Sequence, residues 1–514
     1  MKLRLLLATF VLVALTLVQA RPAAAFCGFY VSGADAPLTN DATLVVMMRE
    51  GTRTVLSMQN TYSGPPQDFA MVVPVPVVLR EANVKILPRD IFAKVDRLTA
   101  PRLVEYWEQD PCAPQVMYDM APPAPAAMAA PEGAREESAA RHHVKIEAQF
   151  AVGEYDVVVL SAQDSTGLDA WLHENHYKIP PGAEPYLRPY VEMGMKFFVA
   201  KVNIAKVKFE RVGRGPEHAL LSPLRFHFDA EDFFLPVRLG LINSGGKQDL
   251  VAIVLARGKR YEVANYDNVS IPTNLDVADD TRRQFGAFYA ALFDRVVEKN
   301  PRAVVTEYSW DATSCDPCPL PPLDEQELAT LGSDVLPEAD DGNQGAGFVV
   351  TRLHARYGKE TLGDDLHFRP APAIVGGRES MGADGHTEQG AHPDSTNNFQ
   401  ARYVIRHKWQ GAASCESPRF GNWGGPPNGQ SPETLPALNL AFAARDANLE
   451  SLVKSPLPEG LTLSRGQAVG PPHIPPSGGC AGCHTAPSAE DYATTGVFAL
   501  GFLVVARRRR NKRA

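Results

Sequence analysis

The sequence has no excess of positive charge and no apolar run as long as an ordinary membrane-spanning helix. Its 51 Lys and Arg are outnumbered by 59 Asp and Glu, which gives a net charge of -8 at pH 7. Because phosphate backbones are bound by basic patches, we expect no nucleic-acid partner. The sequence also lacks the Gly-x-Ser-x-Gly, phosphate-loop and dinucleotide-binding motifs. We therefore predict no catalytic residue, no metal ligand and no cofactor.

The N-terminal residues 1–25 have the composition of a signal peptide. Lys2 and Arg4 supply positive charge, residues 5–18 are apolar, and residues 23–25 are all alanine. This order predicts export, with cleavage by signal peptidase before Phe26. A cut after Ala20 is the alternative.

The C-terminal end combines a cysteine motif, a short apolar segment and a basic cluster. The apolar segment, residues 492–506, is shorter than the roughly 20 residues that cross a bilayer untilted, but local thinning accommodates such a segment. The cations after it favour the cytoplasmic side. The residues are Gly479, Cys480, Gly482 and Cys483 in the cysteine motif, and Arg507, Arg508, Arg509 and Arg510 in the basic tail, 507–514. We therefore predict a membrane anchor and an outward-facing protein.

This tail resembles the myxobacterial C-terminal sorting signal (MYXO-CTERM), in which Gly-Cys, a short transmembrane helix and an arginine cluster follow one another. The resemblance implies that sorting machinery processes the chain near Cys480 or Cys483 and attaches it at the cell surface. Cys480, Cys483 and His484 also match the C-x-x-C-H pattern of haem c attachment. Little chain follows His484, and half of it is membrane-like, so a haem c protein is the minor alternative.

Five further cysteines lie in the region that we expect to face outward: Cys27, Cys112, Cys315, Cys318 and Cys415. Export permits disulfides, and the sequence does not choose among the pairings. Cys315 and Cys318 form a C-x-x-C motif, which has three interpretations: a structural disulfide, a thiol-redox pair or half of a zinc site. Prolines surround the motif, no helix follows directly, and no second Cys/His pair is spaced for zinc. These observations favour a structural disulfide.

Alternating apolar residues and a few amphipathic stripes predict a strand-dominated α+β protein. We expect mostly antiparallel strands with a few helices packed on the sheets. This exported part spans residues 26–455 and carries a low-complexity insertion at 121–140. A Pro/Gly-rich stalk with the cysteine motif follows at 456–491.

Particular elements are predicted from local signals. Residues 43–58 form a hairpin that breaks at Glu50 and Gly51. A helix is capped by Asp90, interrupted by Pro101 and resumed as far as Trp107. Further predicted elements are a helix over 164–176, a strand over 233–242, a helix over 281–299 capped by Asp279 or Asp280, a strand over 304–310, a helix over 324–331 and a strand over 348–357.

Three polar clusters resemble functional sites only superficially. His173 and His176 are three residues apart, whereas a zincin helix places its two histidines four apart. The acidic run 338–343 lacks the alternation of a calcium loop. His354, Arg356, Asp364, Asp365 and His367 could line a polar site, but the alternation of their strand predicts that His354 and Arg356 simply face outward.

Several segments together resemble the domain-of-unknown-function (DUF) family 2330 of exported bacterial proteins, over residues 26–375. They are Phe26-Cys27-Gly28-Phe29-Tyr30 and the runs at 68–76, 155–162, 167–172, 310–318 and 351–357. The resemblance implies export and a shared fold, and it carries over no catalytic residue.

Two functions remain open from the sequence. The first is a non-enzymatic protein, anchored at the cell surface, that binds or scaffolds an envelope component; it predicts an exposed apolar or aromatic patch. The second is an extracellular hydrolase or thiol-redox enzyme; it predicts a deep pocket in which His, Asp or Cys converge.

Overall fold

The fold is seen in a computed structural model. It describes residues 29–31, 43–60, 70–112, 140–141, 144–175, 177, 179, 182–211, 217–242, 248–338, 347–358, 360–379, 387–427, 434–438 and 447–454. The signal peptide, most of the insertion, the stalk, the cysteine motif, the apolar segment and the basic tail lie outside the described residues, so those predictions stay predictions.

The strands are β1 (Phe29–Val31), β2 (Thr43–Glu50), β3 (Arg53–Asn60), β4 (Ala70–Val75), β5 (Val84–Ile86), β6 (Arg102–Glu108), β7 (Ala140–Arg141), β8 (Val144–Val152), β9 (Tyr155–Ala162), β10 (Lys196–Val202), β11 (Lys208–Arg211), β12 (Glu217–Leu220), β13 (Leu224–Asp229), β14 (Phe234–Leu235), β15 (Gln248–Arg257), β16 (Arg260–Val263), β17 (Asp267–Ser270), β18 (Leu275–Asp276), β19 (Ala303–Asp311), β20 (Phe348–Tyr357), β21 (Leu366–Ala371), β22 (Ile374–Gly376), β23 (His392–Pro393), β24 (Asn398–Gln400), β25 (Arg402–His407), β26 (Trp423–Gly424) and β27 (Leu435–Pro436).

The α-helices are α1 (Arg89–Thr99), α2 (Ser165–Glu174), α3 (Glu184–Glu192), α4 (Phe285–Lys299), α5 (Glu325–Leu331) and α6 (Leu449–Leu452). Short 3-10 helices occupy Glu81–Asn83, Ile204–Lys206, Arg238–Leu241, Asp279–Gln284 and Ser333–Val335.

Two large sheets face each other across the main core. The larger sheet runs in the order β23-β22-β24-β19-β20-β15-β2-β3-β13-β5, with β17 also paired to β19, and the other runs β1-β4-β10-β9-β8-β7. Because side chains alternate along a strand, Val45 and Met47 of β2 enter the core between the sheets, where they join Val157 of β9 and Phe198 of β10. This packing aligns the two inner faces as in a β-sandwich.

Helices cover the outer faces of both sheets. On the smaller sheet, Leu172 of α2 and Leu187 of α3 pack over strand residues such as Val199. On the larger sheet, α1 and α5 pack over the strand side chains that point away from the inner core, including Val46 and Ile253. The predicted α+β class, strand-dominated and mostly antiparallel with helices on the sheets, is confirmed.

A five-stranded sheet lies beside α4 and carries the parallel pairs that matter for the site. It runs β18-β25-β6-β26, and β27 also pairs with β6. Strands β18 and β25 are parallel, as are β25 and β6. Tyr403 and Ile405 of β25 pack against Phe288 of α4, which fixes one face of this sheet.

The structure corrects the prediction around Pro101. Helix α1 begins at Arg89 after Pro88, whose side chain makes no cap, so Asp90 lies inside the first turn instead of capping it. The chain does not resume a helix after Pro101, since residues 102–108 form β6. Pairing with β25 on one side and β26 and β27 on the other satisfies the backbone of β6, and this outweighs its helix-like spacing.

Two other boundaries were also wrong. Only Phe234–Leu235 of the predicted strand 233–242 is extended, and Arg238–Leu241 turns into a 3-10 helix. The helix predicted from Thr281 starts as the 3-10 segment Asp279–Gln284 and becomes α-helical at Phe285. The hairpin at 43–58, the helices predicted over 164–176 and 324–331, and the strands at 304–310 and 348–357 are confirmed. The structure adds that Asp164 and Asp324 cap the two helices.

Candidate functional site

The carboxyl ends of three parallel strands meet at one end of the five-stranded sheet. Asp276 ends β18, His407 ends β25 and Glu108 ends β6. Crevices beyond the carboxyl ends of parallel strands are frequent ligand sites because loops leave the sheet there in different directions. A cleft of about 1120 Å³ opens at this point, lined by these three residues.

Three of the five tryptophans in the chain line this cleft, which we call the tryptophan cleft. Trp107 is on β6, Trp409 follows β25, and Trp423 begins β26. All three are half-buried, so part of each indole remains accessible. Apart from Gly411 and Pro427, the other lining residues are polar or charged. Broad apolar rings among hydrogen-bonding groups suit a ligand that has both apolar faces and polar edges.

Neighbouring side chains fix the orientation of two of these rings. Trp107 and His407 are paired across β6 and β25, and their rings stack at 4.6 Å between centroids. The guanidinium of Arg406 lies over the Trp423 ring, 5.6 Å from its centroid. Such contacts are worth about 0.5–1 kcal/mol at exposed sites. The rings are therefore positioned before any ligand arrives.

Each carboxylate that lines the cleft already accepts a hydrogen bond from the protein. Glu108 accepts from the backbone N–H groups of Trp409, at 3.1 Å, and Gly421, at 2.7 Å. Asp276 pairs with Arg406, and Lys454 donates to Asp279 at 2.7 Å. The hydrogen bond from Lys454 lowers the pKa of Asp279. The three carboxylates thus hold the surrounding loops and side chains of the cleft in place.

Two polar groups of the cleft residues differ in their access to solvent. The indole N–H of Trp409 is buried and has no hydrogen-bond partner among the described residues. Lys408 is exposed on the cleft wall. In native structures, unsatisfied buried donors are few. Because this N–H is closed to solvent, Lys408 is the group of the two that a ligand can reach directly.

A fully buried arginine supports one wall of the cleft from behind. Arg402 donates to the side-chain oxygen of Asn274 and to the Tyr106 hydroxyl, each at 2.9 Å, and also to the carbonyl of Arg378. Asn274 in turn donates to the carbonyls of Arg378 and Glu388, at 2.9 Å and 2.7 Å. Burial lowers the pKa of Arg402. This network fixes the loop that brings Gln389 to the cleft.

A disulfide between Cys112 and Cys415 ties the loop after Trp409 to the end of β6. Nearby, the backbone N–H of Arg419 donates to the Pro111 carbonyl at 2.9 Å. The bond joins residues 303 positions apart, so it closes the cleft-forming loop onto a distant strand. Sequence reasoning left this pairing open.

Of the remaining cysteines, two form a second disulfide and three lie outside the part that the structure describes. Cys315 and Cys318 form a disulfide with each other. This bond is compatible with both the structural and the thiol-redox interpretation of the C-x-x-C motif. The surrounding loop is braced by Arg102, which donates to the Pro317 carbonyl at 2.8 Å. Cys27, Cys480 and Cys483 lie outside the described residues.

The prediction that His354 and Arg356 face outward was wrong. His354 is buried, and its Nδ1 is 2.6 Å from Glu307 Oε1. Arg356 donates to Asp249 at 2.8 Å and also to Asp294 of α4. Their strand lies in the middle of the largest sheet, between β15 and β19, and α4 covers this part of it, so alternation does not produce a solvated face. This cluster connects the sheet to α4 and is closed to solvent.

The remaining polar candidates do not converge. Asp365 is buried and accepts from the Tyr190 hydroxyl at 2.6 Å, whereas Asp364 is exposed beside Arg238. The ring of His367 stacks on Phe234. His173 is exposed on α2 beside Asp169, and His176 lies outside the described residues.

Two features are absent from the part of the chain that the structure describes. The described residues contain no group of three or more His, Cys, Asp or Glu placed to hold a metal ion. In the same part of the chain, no helix is long and apolar enough to cross a membrane.

Sequence reasoning missed the tryptophan cleft. Trp409 and Trp423 lie in an otherwise polar, Gly/Pro-rich stretch, and large aromatic residues in such a stretch were the available signal. Trp107 was assigned to a helix face that does not exist.

Comparison with known proteins gives a family and no individual relative. Residues 21–369 match DUF2330, described as an uncharacterized protein conserved in bacteria. No curated protein and no solved structure matches the chain significantly. Trp107 lies within the matched region, whereas Trp409 and Trp423 lie beyond it. The cleft thus combines the family region with chain that follows it.

Proposed function

Because the chain belongs to DUF2330, whose description names no activity, we propose a function from the site itself. The protein is exported, anchored at the cell surface, and binds a glycan of the cell envelope in the tryptophan cleft. The observation that carries this proposal is the convergence of Trp107, Trp409 and Trp423 in one polar cleft.

The chemistry of the cleft matches the two kinds of surface that a sugar ring presents. The ring carbons carry C–H groups that form apolar faces, and these pack on flat indole rings. The ring edges carry hydroxyls, which both donate and accept hydrogen bonds. Gln389 and Gln410 offer amide groups at the cleft, beside the carbonyl and amide groups of its loops. A glycan therefore uses both the apolar and the polar parts of the lining.

Two other classes of ligand fit less well. A proline-rich peptide also packs on aromatic rings, but proline has no N–H and few polar groups, so the amides and charges of the cleft would lose water without gaining partners. An aromatic cage for quaternary ammonium needs ring faces that no other group covers. Here Arg406 lies over Trp423 and His407 stacks on Trp107.

The arrangement supports binding better than hydrolysis. Glycoside hydrolysis uses two carboxyl groups, one of which acts as an acid with a raised pKa. In the described lining, Glu108, Asp276 and Asp279 are engaged by the protein, and the pKa of Asp279 is lowered by Lys454. The cleft therefore offers a glycan fixed rings and hydrogen bonds.

Export and anchoring rest on the two ends of the chain. The signal-peptide pattern and the cationic end predict an outward-facing protein, and the disulfide between Cys112 and Cys415 is the kind of bond that persists outside the cytoplasm. Glycans of the envelope surround a protein in this location and are therefore accessible ligands.

The test is direct, because three of the five tryptophans report on the site. Full-length protein in a detergent without a sugar headgroup is screened on an array of bacterial glycans and titrated by tryptophan fluorescence. Trp107→Ala and Trp423→Ala are each expected to weaken binding about tenfold, which corresponds to about 1.4 kcal/mol. Phe209→Ala, which removes an exposed ring outside the cleft, is the matched control.

The controls separate binding from folding. Circular dichroism and thermal unfolding show whether each alanine variant keeps the fold. A synthetic peptide of residues 456–479 tests the proline-rich alternative. If no glycan binds, if the tryptophan variants bind as tightly as Phe209→Ala, or if only the peptide changes the fluorescence, the proposal is wrong.

A further inference from the structure

A fourth aromatic residue lies next in sequence to backbone that contacts the tryptophan cleft. Phe420 is 61% exposed, one of the few large apolar side chains that face solvent among the described residues. The next residue, Gly421, donates its N–H to Glu108 of the cleft lining, and the carbonyl of Asn422 accepts from Gln109 at 2.8 Å. The backbone on one side of Phe420 is therefore attached to the cleft wall.

The loop that carries Phe420 is held on its other side as well. Cys415 is bonded to Cys112, and the N–H of Arg419 donates to Pro111. An isolated exposed phenylalanine needs no explanation, but this one is carried by a braced loop that lies in sequence between Trp409 and Trp423, so it is available to a ligand that extends beyond the cleft. A rigid contact costs a ligand less entropy than a mobile one does.

The size of the cleft exceeds what a small ligand needs. Its volume of about 1120 Å³ is above the roughly 300–1,000 Å³ of pockets that enclose one drug-sized molecule. Exposed residues at its wall, including Gln410 and Pro427, leave it open to solvent. An open cleft of this size accommodates a chain that enters and leaves it.

The charges of the lining favour an uncharged chain. Asp276 is paired with Arg406, Asp279 with Lys454, and His407 with Glu105. Lys408 is exposed, and solvent and salt weaken the attraction of a single exposed cation for an anion. Stacking and neutral hydrogen bonds therefore remain the principal contacts available to a ligand.

We propose that the ligand of the tryptophan cleft is an extended, uncharged polysaccharide chain that leaves the cleft across Phe420. This inference rests on the proposed glycan-binding function and adds the form and charge of the ligand. It predicts that affinity depends on chain length and that Phe420 acts only on the longer chains.

The experiment uses oligomers of N-acetylglucosamine and of β-1,4-linked glucose, from the monosaccharide to the hexasaccharide, titrated by tryptophan fluorescence. For the wild type, we expect the hexasaccharide of at least one series to bind at least tenfold more tightly than its disaccharide. Phe420→Ala is expected to bind the disaccharide normally and the hexasaccharide about fivefold more weakly. Phe209→Ala is expected to match the wild type for every length.

The outcomes separate the two proposals. If hexasaccharides bind no more tightly than disaccharides, or if Phe420→Ala matches the wild type at every length, the extended-chain inference is overturned and glycan binding stands. If a galacturonate hexasaccharide binds more tightly than the neutral hexasaccharides, the uncharged character is wrong. If no oligomer of any length binds and no glycan of the array binds either, the proposed function fails as well; if only an array glycan binds and it is a short or charged one, the extended uncharged chain alone is overturned.

Discussion

Glu307 is fully buried at the centre of a polar cluster. It accepts hydrogen bonds from Tyr289 at 2.5 Å and Arg352 at 2.7 Å, and His354 lies 2.6 Å away. Burial by itself raises the pKa of Glu307, but His354 and Arg352 outweigh it and bring the pKa to about 2. Folding therefore favours the ionised carboxylate. The cluster joins β19 and β20 to α4, so its role is in stability.

A substitution at Glu307 tests this role. Glu307→Gln removes the buried carboxylate from Arg352 and leaves Asp96, at 2.7 Å, as its remaining acidic partner. We therefore expect a loss of stability below the roughly 3–5 kcal/mol that a wholly unpaired buried charge costs. The free energy of unfolding from urea titration at pH 7 measures the loss. Glu360→Gln is the matched control at an exposed glutamate, and we expect it to change the free energy by less than about 0.5 kcal/mol.

The pH dependence follows from the direction of the shift. The folded pKa of about 2 lies below the ordinary value of 4.5, so the stabilisation is complete above pH 4.5 and is lost as the pH falls from 4.5 towards 2. The wild type should lose stability over this range, and Glu307→Gln should lose less. An equal loss in both proteins would contradict the assignment.

At the scale of elements, β6 is the strand that connects the five-stranded sheet to the tryptophan cleft. It is the central strand of the five-stranded sheet, it places Trp107 and Glu108 at the cleft, and Cys112 follows it closely. Its sequence has helix-like spacing, and only its hydrogen-bonded neighbours decide that it is a strand. The parallel pairing with β25 brings Trp107 beside His407. The site thus depends on one long-range pairing.

The two disulfides provide an internal comparison of loop length. Cys112 and Cys415 are separated by 303 positions, and Cys315 and Cys318 by 3. The chain-entropy relation gives roughly 6 kcal/mol for the long loop and roughly 2 kcal/mol for the short one. Cys112→Ser with Cys415→Ser should therefore lower the free energy of unfolding more than Cys315→Ser with Cys318→Ser. Urea titration without reductant measures both, and the reverse order would contradict this account.

At the scale of the whole molecule, two packed sheets with helices on their outer faces form the body, and the tryptophan cleft lies on the five-stranded sheet beside α4. The body supplies rigidity, and the parallel strand ends supply the place where loops converge. This division between scaffold and loops is common in binding proteins.

The proposed location is tested on cells. We expect the mature N-terminus at Phe26, recovery in the membrane fraction, and digestion by protease added to intact cells. Replacing Arg507, Arg508, Arg509 and Arg510 together with alanine should release the protein or misplace it, because the cations hold the cytoplasmic end. Cell fractionation and N-terminal sequencing are the measurements. A full-length chain with reduced thiols in the cytosol would contradict the proposal.

The sequence by itself determined the features that depend on near neighbours. Period-two runs predict β2, β3 and β20, and local signals predict the helices over 164–176 and 324–331, because these patterns act within a few residues. Net charge also comes from the sequence alone, because it depends on composition and not on the fold. The excess of acidic residues is the basis for expecting no nucleic-acid partner, and this stays a prediction.

Only the tertiary structure decided what depends on distant pairs. Trp107 meets Trp409 and Trp423 because β6 pairs with β25 and β26, and the partner of Cys112 follows from the same pairing. His354 is buried because its strand lies between two others under α4, whatever its own alternation indicates. Burial and long-range pairing are properties of the assembled chain, since a local pattern shows which side a residue faces but not what covers that side.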